Sequence, residues 1–447
     1  MPETYDLLIR GGTLVTHAGV LLADVGIRDG RIAGVGRISP AAAGEVFDAL
    51  GLHVLPGVMD PQVHFREPGG EHKEDLASGT AAAALGGVTA VFEMPNTSPP
   101  TTSAAALEDK LARARGRAWV DHAFYVGATE ENVDRLPVLE RLPGCAGVKV
   151  FMGSSTGNLL VATDAGVEAV LRSVGRRAAF HCEDEERLRE RMDLRVPGDP
   201  SSHPVWRDVE CALRATRRLL AIARRLGKRV HVLHVTTREE MALLADHKDI
   251  ATVEVPPQHL TLAAPECYER LGAYAQMNPP IRDAEHREGL WKALREGVVD
   301  VLGSDHAPHT REEKEAGYPR TPSGMPGVQT LLPVMLDHVH RGRLSLEHLV
   351  DLTSAGVARV FGVARKGRLA VGYDADLTLV DLDASRVIED SWIASKAGWT
   401  PFAGMQVTGW PVATIVRGRI VMRDDELLGS PEGRPVRFLE ALSPDPE

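Results

Sequence analysis

The chain has 447 residues, ordinary apolar and charged fractions, and a formal net charge of −11. That length accommodates one large α/β-barrel domain or two to three smaller domains. The acidic balance excludes a general nucleic-acid or anionic-membrane binder, although a few local arginines can still serve a small anionic substrate.

The opening "MPETYDLLIRGG" carries acidic residues and no apolar core, so it does not read as a secretory signal. "YDLLIRGGTLVT" and "LADVGIRDGRIAGVG" then set apolar runs around Gly-Gly and Asp-Gly, a hairpin signal. From about His53 to about Val363 the rhythm changes. Eight short apolar runs follow one another: "GVMDPQVH", "TAVFEMP", "VDHAFYVGA", "GVKVFM", "AAFHCED", "RVHVLHVT", "ATVEVPP" and "VDVLGSDHAP". Between them lie helix-like stretches such as "KEDLASGTAAAALGG", "DAGVEAVLRSVGR" and "DVECALRATRRLLAIARRLG". This alternation predicts an α/β fold built on a (β/α)8 TIM barrel. A doubly wound open sheet is the alternative, and no Gly-rich dinucleotide or P-loop motif follows any strand to support it. Short β runs return in "DADLTLVDL" and "PVATIVRGRIVMRD", before a polar tail, "SPDPE". The expected organisation is a composite β-sandwich domain from residues 1–52 and 366–447, and a barrel from 53–365.

The cysteines, Cys145, Cys182, Cys211 and Cys267, form no C-x-x-C pair. Neither a zinc knuckle nor a disulfide framework is indicated, and reduced thiols in a cytoplasmic protein are expected. No apolar run approaches the roughly 20 residues of a membrane span.

In a barrel of this kind, polar residues at strand C-termini are the first candidates for a site. Strand one ends with His64, strand four carries Lys149, strand five His181, strand six His234, and strand eight ends at Asp305. Each has an ordinary structural reading: a hydrogen-bonded core histidine, a snorkelling lysine, a helix-capping aspartate. Five at five strand ends are harder to explain separately, and together they point to a metal site. Period-2 alternation puts Gln62, His64 and Arg66 on one face with Asp60, and His181 with Glu183 while Cys182 points away. His231 and His234 differ by three, so a regular strand would turn only one inward, and His234 is the better candidate. Imidazole and carboxylate donors suit zinc with an open coordination position. A buried lysine loses basicity, and its free amine can take up carbon dioxide to give a metal-bridging carbamate. Such a site generates hydroxide near neutral pH and polarises a carbonyl, with Asp305 able to move the proton.

At these residues the sequence resembles the amidohydrolase superfamily, in its cyclic-amidohydrolase branch of hydantoinases, allantoinases and dihydroorotases. The resemblance covers essentially the whole chain. "PGVMDPQVHFREPG", "GGVTAVFEMPNT", "GVKVFM", "HCED", "HVLHVTT", "MNPPIR", "GSDHAPHT" and "GMPGVQTLLP" look like dihydroorotase motifs in the same order. The resemblance implies that His64, Lys149, His181, His234 and Asp305 hold one or two Zn2+ ions, with Lys149 carboxylated as the bridge. It implies that Asp305 is also the catalytic base. It implies that Arg66, Asn96 and His309 hold a substrate carboxylate, and that Asn278 and the backbone around Pro326 and Gly327 contact a pyrimidine ring. Arg66 bears most on substrate class, because a guanidinium forks onto a carboxylate. Dihydroorotate and carbamoyl-aspartate carry that carboxylate, and hydantoins and allantoin need not. The implied reaction is the reversible cyclisation of N-carbamoyl-L-aspartate to (S)-dihydroorotate in pyrimidine biosynthesis. By family analogy a homo-oligomer is also expected.

One position departs from the family pattern. Gln62 stands where the motif has histidine, a neutral oxygen donor and a weaker zinc ligand than imidazole. The half of the site with His64, Lys149 and Asp305 is therefore one strong ligand short, while the half with Lys149, His181 and His234 is complete. One reading is an active enzyme with one tight metal and Gln62 as a weak ligand at the other position. A second is a catalytically silent homologue that partners aspartate transcarbamoylase. A third is a hydantoinase- or allantoinase-type cyclic amidase.

Overall fold

The computed structural model describes residues 5–155 and 159–441. The first four residues and the "SPDPE" tail lie outside the described residues. The chain opens with β1 (Tyr5–Thr16), β2 (Gly19–Arg28) and β3 (Arg31–Gly36), followed by β4 (Ala43–Asp48) and β5 (His53–Pro56). β2 and β3 form the hairpin expected at Asp-Gly: Asp29 and Gly30 both have positive φ, 53° and 74°, as a type I′ turn requires. The Gly-Gly expectation is corrected. Gly11 and Gly12 make no turn but a bulge inside β1, where the pairing with β2 shifts register between Ile9 and Gly12. The reason is steric: a Cβ on Gly12 would meet the Val54 side chain at 2.6 Å.

Eight parallel strands follow: β6 (Val58–Val63), β7 (Val88–Glu93), β8 (Asp121–Gly127), β9 (Cys145–Phe151), β10 (Ala178–His181), β11 (Val230–Val232), β12 (Ala251–Val255) and β13 (Val301–Leu302). Each pairs with its sequence neighbours, and a bridge between Val63 and His306, with His64 N donating to His306 O at 2.7 Å, joins the last strand to the first. That closure makes the sheet a barrel and excludes the open doubly wound alternative. The intervening helices follow their sequence signals. In Val209–Leu226, the Asp208 side chain accepts from Cys211 N at the start, and Gly227 ends the helix in a left-handed conformation. Its buried face is Ala212, Ala215, Leu219, Leu220 and Ala223, at helical spacing.

The chain then returns to the first sheet through β14 (Leu377–Val387), β15 (Gln406–Val416), β16 (Arg419–Arg423) and β17 (Glu426–Leu427). β5 lies between β14 and β1, so His53–Pro56 belongs to this nine-stranded sheet although residues from 53 onward were expected in the barrel. Residues from both ends of the chain share its core, among them Ile9, Val25, Val54, Leu377 and Ile415. The architecture is a TIM barrel with a separate sheet domain built from the two terminal segments. The C-terminal residues go on to the barrel itself: Val436 N donates to His122 O at 2.8 Å, and Phe438 packs edge-on to Phe92 in the barrel's inner core. Among the described residues no helix is long and apolar enough to cross a membrane.

Candidate metal centre

The C-terminal ends of the barrel strands surround one narrow cavity. It is lined by Gln62, His64, Arg66, Asn96, Lys149, His181, His234, Asn278 and Asp305, together with Phe151, Ser155, Ala307, Ser323 and Gly324. Alternation along the strands delivers most of these side chains. Phe65 turns outward into the helix Leu76–Leu85, filling the space beside Gly79, and so leaves its neighbours His64 and Arg66 facing the cavity. Val148 and Val150 point out and Lys149 and Phe151 in, with Lys149 Nζ 4.6 Å from the Phe151 ring centroid. Phe180 and Cys182 point out and His181 in, as expected.

Strand six corrects the alternation argument. Both of its histidines point inward. His231 sits deep in the barrel against the Phe361 ring and Thr252, while His234 reaches the cavity. The regular strand ends at Val232, and His234 has φ +36°, which turns its side chain back inside. Arg66 and Asp305 are also left-handed, with φ +64° and +46°. Three non-glycine residues in this sparsely populated region, all at strand ends in one cavity, mark backbone strain held by the surrounding fold.

The donors gather as two pairs and a lysine. His181 Nδ1 lies 3.0 Å from His234 Nε2. The other His181 nitrogen, Nε2, is 2.9 Å from Glu183 Oε2, and Glu183 is ion-paired to Arg207. Burial alone would raise the Glu183 pKa, but Arg207, His181 and Arg282 outweigh it and hold the carboxyl down at about 2. A permanently ionised Glu183 fixes the His181 tautomer with a proton on Nε2, so the Nδ1 lone pair faces His234. This is the carboxylate–histidine arrangement that orients metal ligands. Burial lowers both histidines, His234 well below its usual value, so both are neutral as ligation requires. His234 Nδ1 is buried with no hydrogen-bond partner among the described residues.

The second pair is different. His64 Nε2 lies 3.2 Å from Asp305 Oδ1, and Gln62 Nε2 donates to the same oxygen at 3.0 Å. Gln62 Oε1 is buried without a partner among the described residues. Beneath them Asp60 Oδ1 accepts from Gln62 N and Ser304 N, tying the first strand to the last and keeping Gln62 beside Asp305. Lys149 is buried, with no carboxylate at ion-pairing distance among the described residues. Burial brings it down to about 8, against the pull of Asp305 and Glu254. It therefore carries an appreciable fraction of free amine near neutral pH, the form that accepts carbon dioxide. No three His, Cys, Asp or Glu side chains among the described residues converge closely enough by themselves to cage an ion. The His181–His234 pair with Lys149 fits a metal nonetheless. Its donors are neutral and buried, and one is aimed by an outer carboxylate.

Arg66 is buried at the rim of the same cavity, its Nε donating to Pro308 O at 3.1 Å and its Nη2 3.2 Å from His309 Nε2. Among the described residues no carboxylate pairs with it, and burial lowers its pKa to about 10. Asn96 Oδ1 is 2.7 Å from His64 Nδ1. Asn278 Oδ1 is 3.0 Å from His203 Nε2, and both asparagines line the cavity. His309 stands just behind Arg66, between Lys73 Nζ at 3.2 Å and Ser323 O at 3.0 Å. Pro326 and Gly327 are not on the cavity wall. They border a separate small void behind it, where Gly327 N donates to His306 Nδ1. Ser323 and Gly324, three residues earlier in the same loop, form the wall instead. Phe151 was legible from alternation with Lys149, and nothing local marks Ser155, whereas Ser323 and Gly324 end the stretch "TREEKEAGYPRTPSG", a loop that the resemblance to the cyclic-amidohydrolase branch sets beside the substrate and that otherwise reads as exposed.

The family model for the amidohydrolase family matches residues 53–421. Among curated relatives, a dihydroorotase from Halobacterium salinarum is 40% identical over 93% of this chain and 98% of its own. An allantoinase from Rubrobacter xylanophilus is 38% identical over 97% of this chain and 98% of its own. Among solved structures, the L-hydantoinase (dihydropyrimidinase) from Arthrobacter aurescens superposes with a TM-score of 0.92 at 32% identity, covering 97% of this chain and 100% of that one. With the strand-end donor cluster in a closed barrel and a match over most of its length, the chain belongs to the amidohydrolase family.

Proposed function

We propose that the protein is a dihydroorotase, interconverting N-carbamoyl-L-aspartate and (S)-dihydroorotate in pyrimidine biosynthesis. The observation that carries this reading is Arg66. It is a buried guanidinium with no carboxylate partner among the described residues, on the wall of the cavity that holds the metal donors. Burying a cation without a counter-ion is costly unless a ligand supplies one. A substrate that is both a cyclic amide and a carboxylate supplies it, and dihydroorotate is both. The dihydroorotase names among the relatives support the reading.

His181, His234 and Lys149 would hold one zinc ion tightly, with Lys149 carboxylated. His64 and Asp305, with Gln62 as a weak ligand, would make the second position poor. When bound, such a metal polarises the scissile carbonyl and lowers the pKa of water. Asp305, oriented by Gln62 and His64, handles the proton. In ring opening it takes a proton from the attacking water and returns it to the ring nitrogen as the C–N bond breaks. In ring closure it takes the carbamoyl N–H proton as that nitrogen attacks the carbon of the protonated carboxyl, and gives it to the hydroxyl that departs as water. Arg66, with Asn96 and His309 beside it, anchors the substrate carboxylate and fixes which carbonyl meets Asp305.

A second reading, a hydantoinase- or allantoinase-type amidase, is favoured by relatives of comparable similarity bearing those names. The test measures zinc per chain and turnover of dihydroorotate, hydantoin and allantoin on one sample. Turnover of dihydroorotate above the other two is expected. Turnover of only the neutral rings would replace the first reading with the second. No turnover of any substrate after metal is restored would favour a silent homologue associated with aspartate transcarbamoylase.

A further inference from the structure

Lys314 is among the largest fully buried side chains of the protein and has no place in the chemistry above. It ends the short helix Arg311–Lys314 and points under the cavity wall. Its Nζ donates to Gln276 O at 3.2 Å, Pro322 O at 2.9 Å and Gly324 O at 3.1 Å. An ammonium has three N–H groups, and here all three are used. Among the described residues no carboxylate lies within ion-pairing distance, so backbone dipoles meet the charge directly.

What these carbonyls belong to gives the arrangement its meaning. Ser323 and Gly324 line the cavity, and Gln276 lies two residues before Asn278, which lines it too. The two segments are sewn together around the lysine. Gly324 N donates to Gln276 O at 2.9 Å, Gln276 Nε2 donates to Thr321 O, and Thr321 Oγ1 donates to Gln276 Oε1. The Trp399 ring lies 5.8 Å from Nζ, and its Nε1 donates to His309 O, the residue beside Arg66. One amine thus joins the Ser323–Gly324 wall to the Asn278 segment and, through Trp399, borders the Arg66–His309 corner.

We propose that Lys314 is a positioning residue whose protonated amine holds the Ser323–Gly324 wall in its binding position, so that the proton on this amine sets how tightly the cavity grips a substrate. Neutral, the amine keeps two N–H donors and turns a lone pair toward Gln276 O. That oxygen keeps its bond from Gly324 N, so the bond given up is the amine's own tie to the Gln276 segment, the two that remain lose their charge assistance, and the wall loosens. The charged and titratable groups around Lys314 are Arg66, Lys73, His309 and Glu313, with Tyr274 beyond Trp399. The Gln276–Asn278, Thr321–Gly324 and Trp399 segments bring only backbone and neutral side chains. Burial, then Arg66, pushes the Lys314 pKa down to about 7, with Glu313 pulling the other way. His309 is held down at about 3, first by burial and then by Arg66, so it stays neutral through this range. The amine is therefore charged below neutrality and loses its proton as pH rises through about 7.

This inference rests on the proposed cyclic-amide reading only for its kinetic arm, so the test has two arms. The first is amide hydrogen exchange of the Thr321–Gly324 peptide from pH 6 to 8, corrected for the intrinsic rate. Protection is expected to fall across this range in the wild type and to be low throughout in Lys314→Met. The second is KM and kcat for whichever of dihydroorotate or hydantoin is turned over. The wild-type KM is expected to rise about tenfold with pH, equivalent to about 1.4 kcal/mol of lost binding. In Lys314→Met it should be high and flat, with a lower Tm because buried carbonyls lose their donor, and Lys314→Arg, which stays charged, should keep the low value to higher pH. Wild-type protection independent of pH would overturn the proposal, as would a Lys314→Met variant with the wild-type pH profile of KM. Absence of turnover on both substrates would count against the function reading alone, because the exchange arm needs no substrate.

Discussion

Arg66→Met separates a carboxylate-reading cavity from a merely polar one. Methionine keeps much of the apolar stem and removes the fork, so packing beside Pro308 is largely retained. In the structure the guanidinium donates to Pro308 O, lies 3.2 Å from His309 Nε2, and among the described residues has no carboxylate to satisfy. Its remaining donors are free for a ligand. Truncating one partner of a buried, hydrogen-bonded charge pair costs about 2–5 kcal/mol. A middle value of about 3 kcal/mol corresponds to roughly a 150-fold lower kcat/KM for dihydroorotate, at about 1.4 kcal/mol per tenfold. Hydantoin lacks the carboxylate, so its kcat/KM should change by less than about threefold, within the range of ordinary surface effects. The assay is steady-state kinetics on both substrates with matched metal content. Equal losses on the two substrates would refute the reasoning, since they would place Arg66 in general site integrity. No loss on dihydroorotate would refute it as well.

Three further outcomes follow from the geometry. Gln62→His should raise bound zinc from about one toward about two per chain by replacing a weak donor with imidazole, read by metal analysis after dialysis. Unchanged stoichiometry would show that Gln62 is not what limits the second position. Glu183→Gln should weaken zinc binding by about 10–100-fold in chelator competition, because the amide no longer holds His181 in one tautomer. Lys110→Met should cost about 3–5 kcal/mol and lower Tm, since it strands Glu93 as an unpaired buried charge. The Lys110–Glu93 pair is 2.7 Å apart with both side chains 1% exposed, and Lys110→Met with Glu93→Leu should recover much of the loss.

Much of this architecture is legible in the sequence because it rests on periodicity. The eight apolar runs each became a barrel strand, and alternation placed Gln62, His64 and Arg66 on one wall and Cys182 outside it. Where alternation misled, the cause was local backbone conformation. The left-handed turn at His234 lets two histidines three residues apart face the same interior, and the Gly11–Gly12 bulge imitates a turn. A φ value leaves no period in the residue types. The "TREEKEAGYPRTPSG" stretch, which the resemblance sets beside the substrate, does end in the Ser323–Gly324 wall, but what holds it there was hidden, because Gln276 meets it from a distant part of the chain. The backbone around Pro326 and Gly327 was expected at the ring; these two residues lie behind the cavity wall, since the chain reaches the cavity three residues earlier and is drawn back by His306.

Gln62 carries the sharpest consequence of this geometry. A histidine here would offer a lone pair to a metal. The glutamine instead offers N–H to Asp305 Oδ1, the same oxygen that faces His64 Nε2. The oxygen that a second metal would claim is already met by two nitrogens of the protein, and a cation there would have to break the amide contact and turn the Gln62 oxygen inward. The other half of the centre needs no such rearrangement, because Glu183 already directs His181 toward His234. The asymmetry therefore lies in the direction of hydrogen bonds as well as in ligand number. On the proposed reading it also gives Gln62 work of its own: with one metal, Asp305 would need another group to orient it for proton transfer, and the Gln62 amide is the group in contact with it.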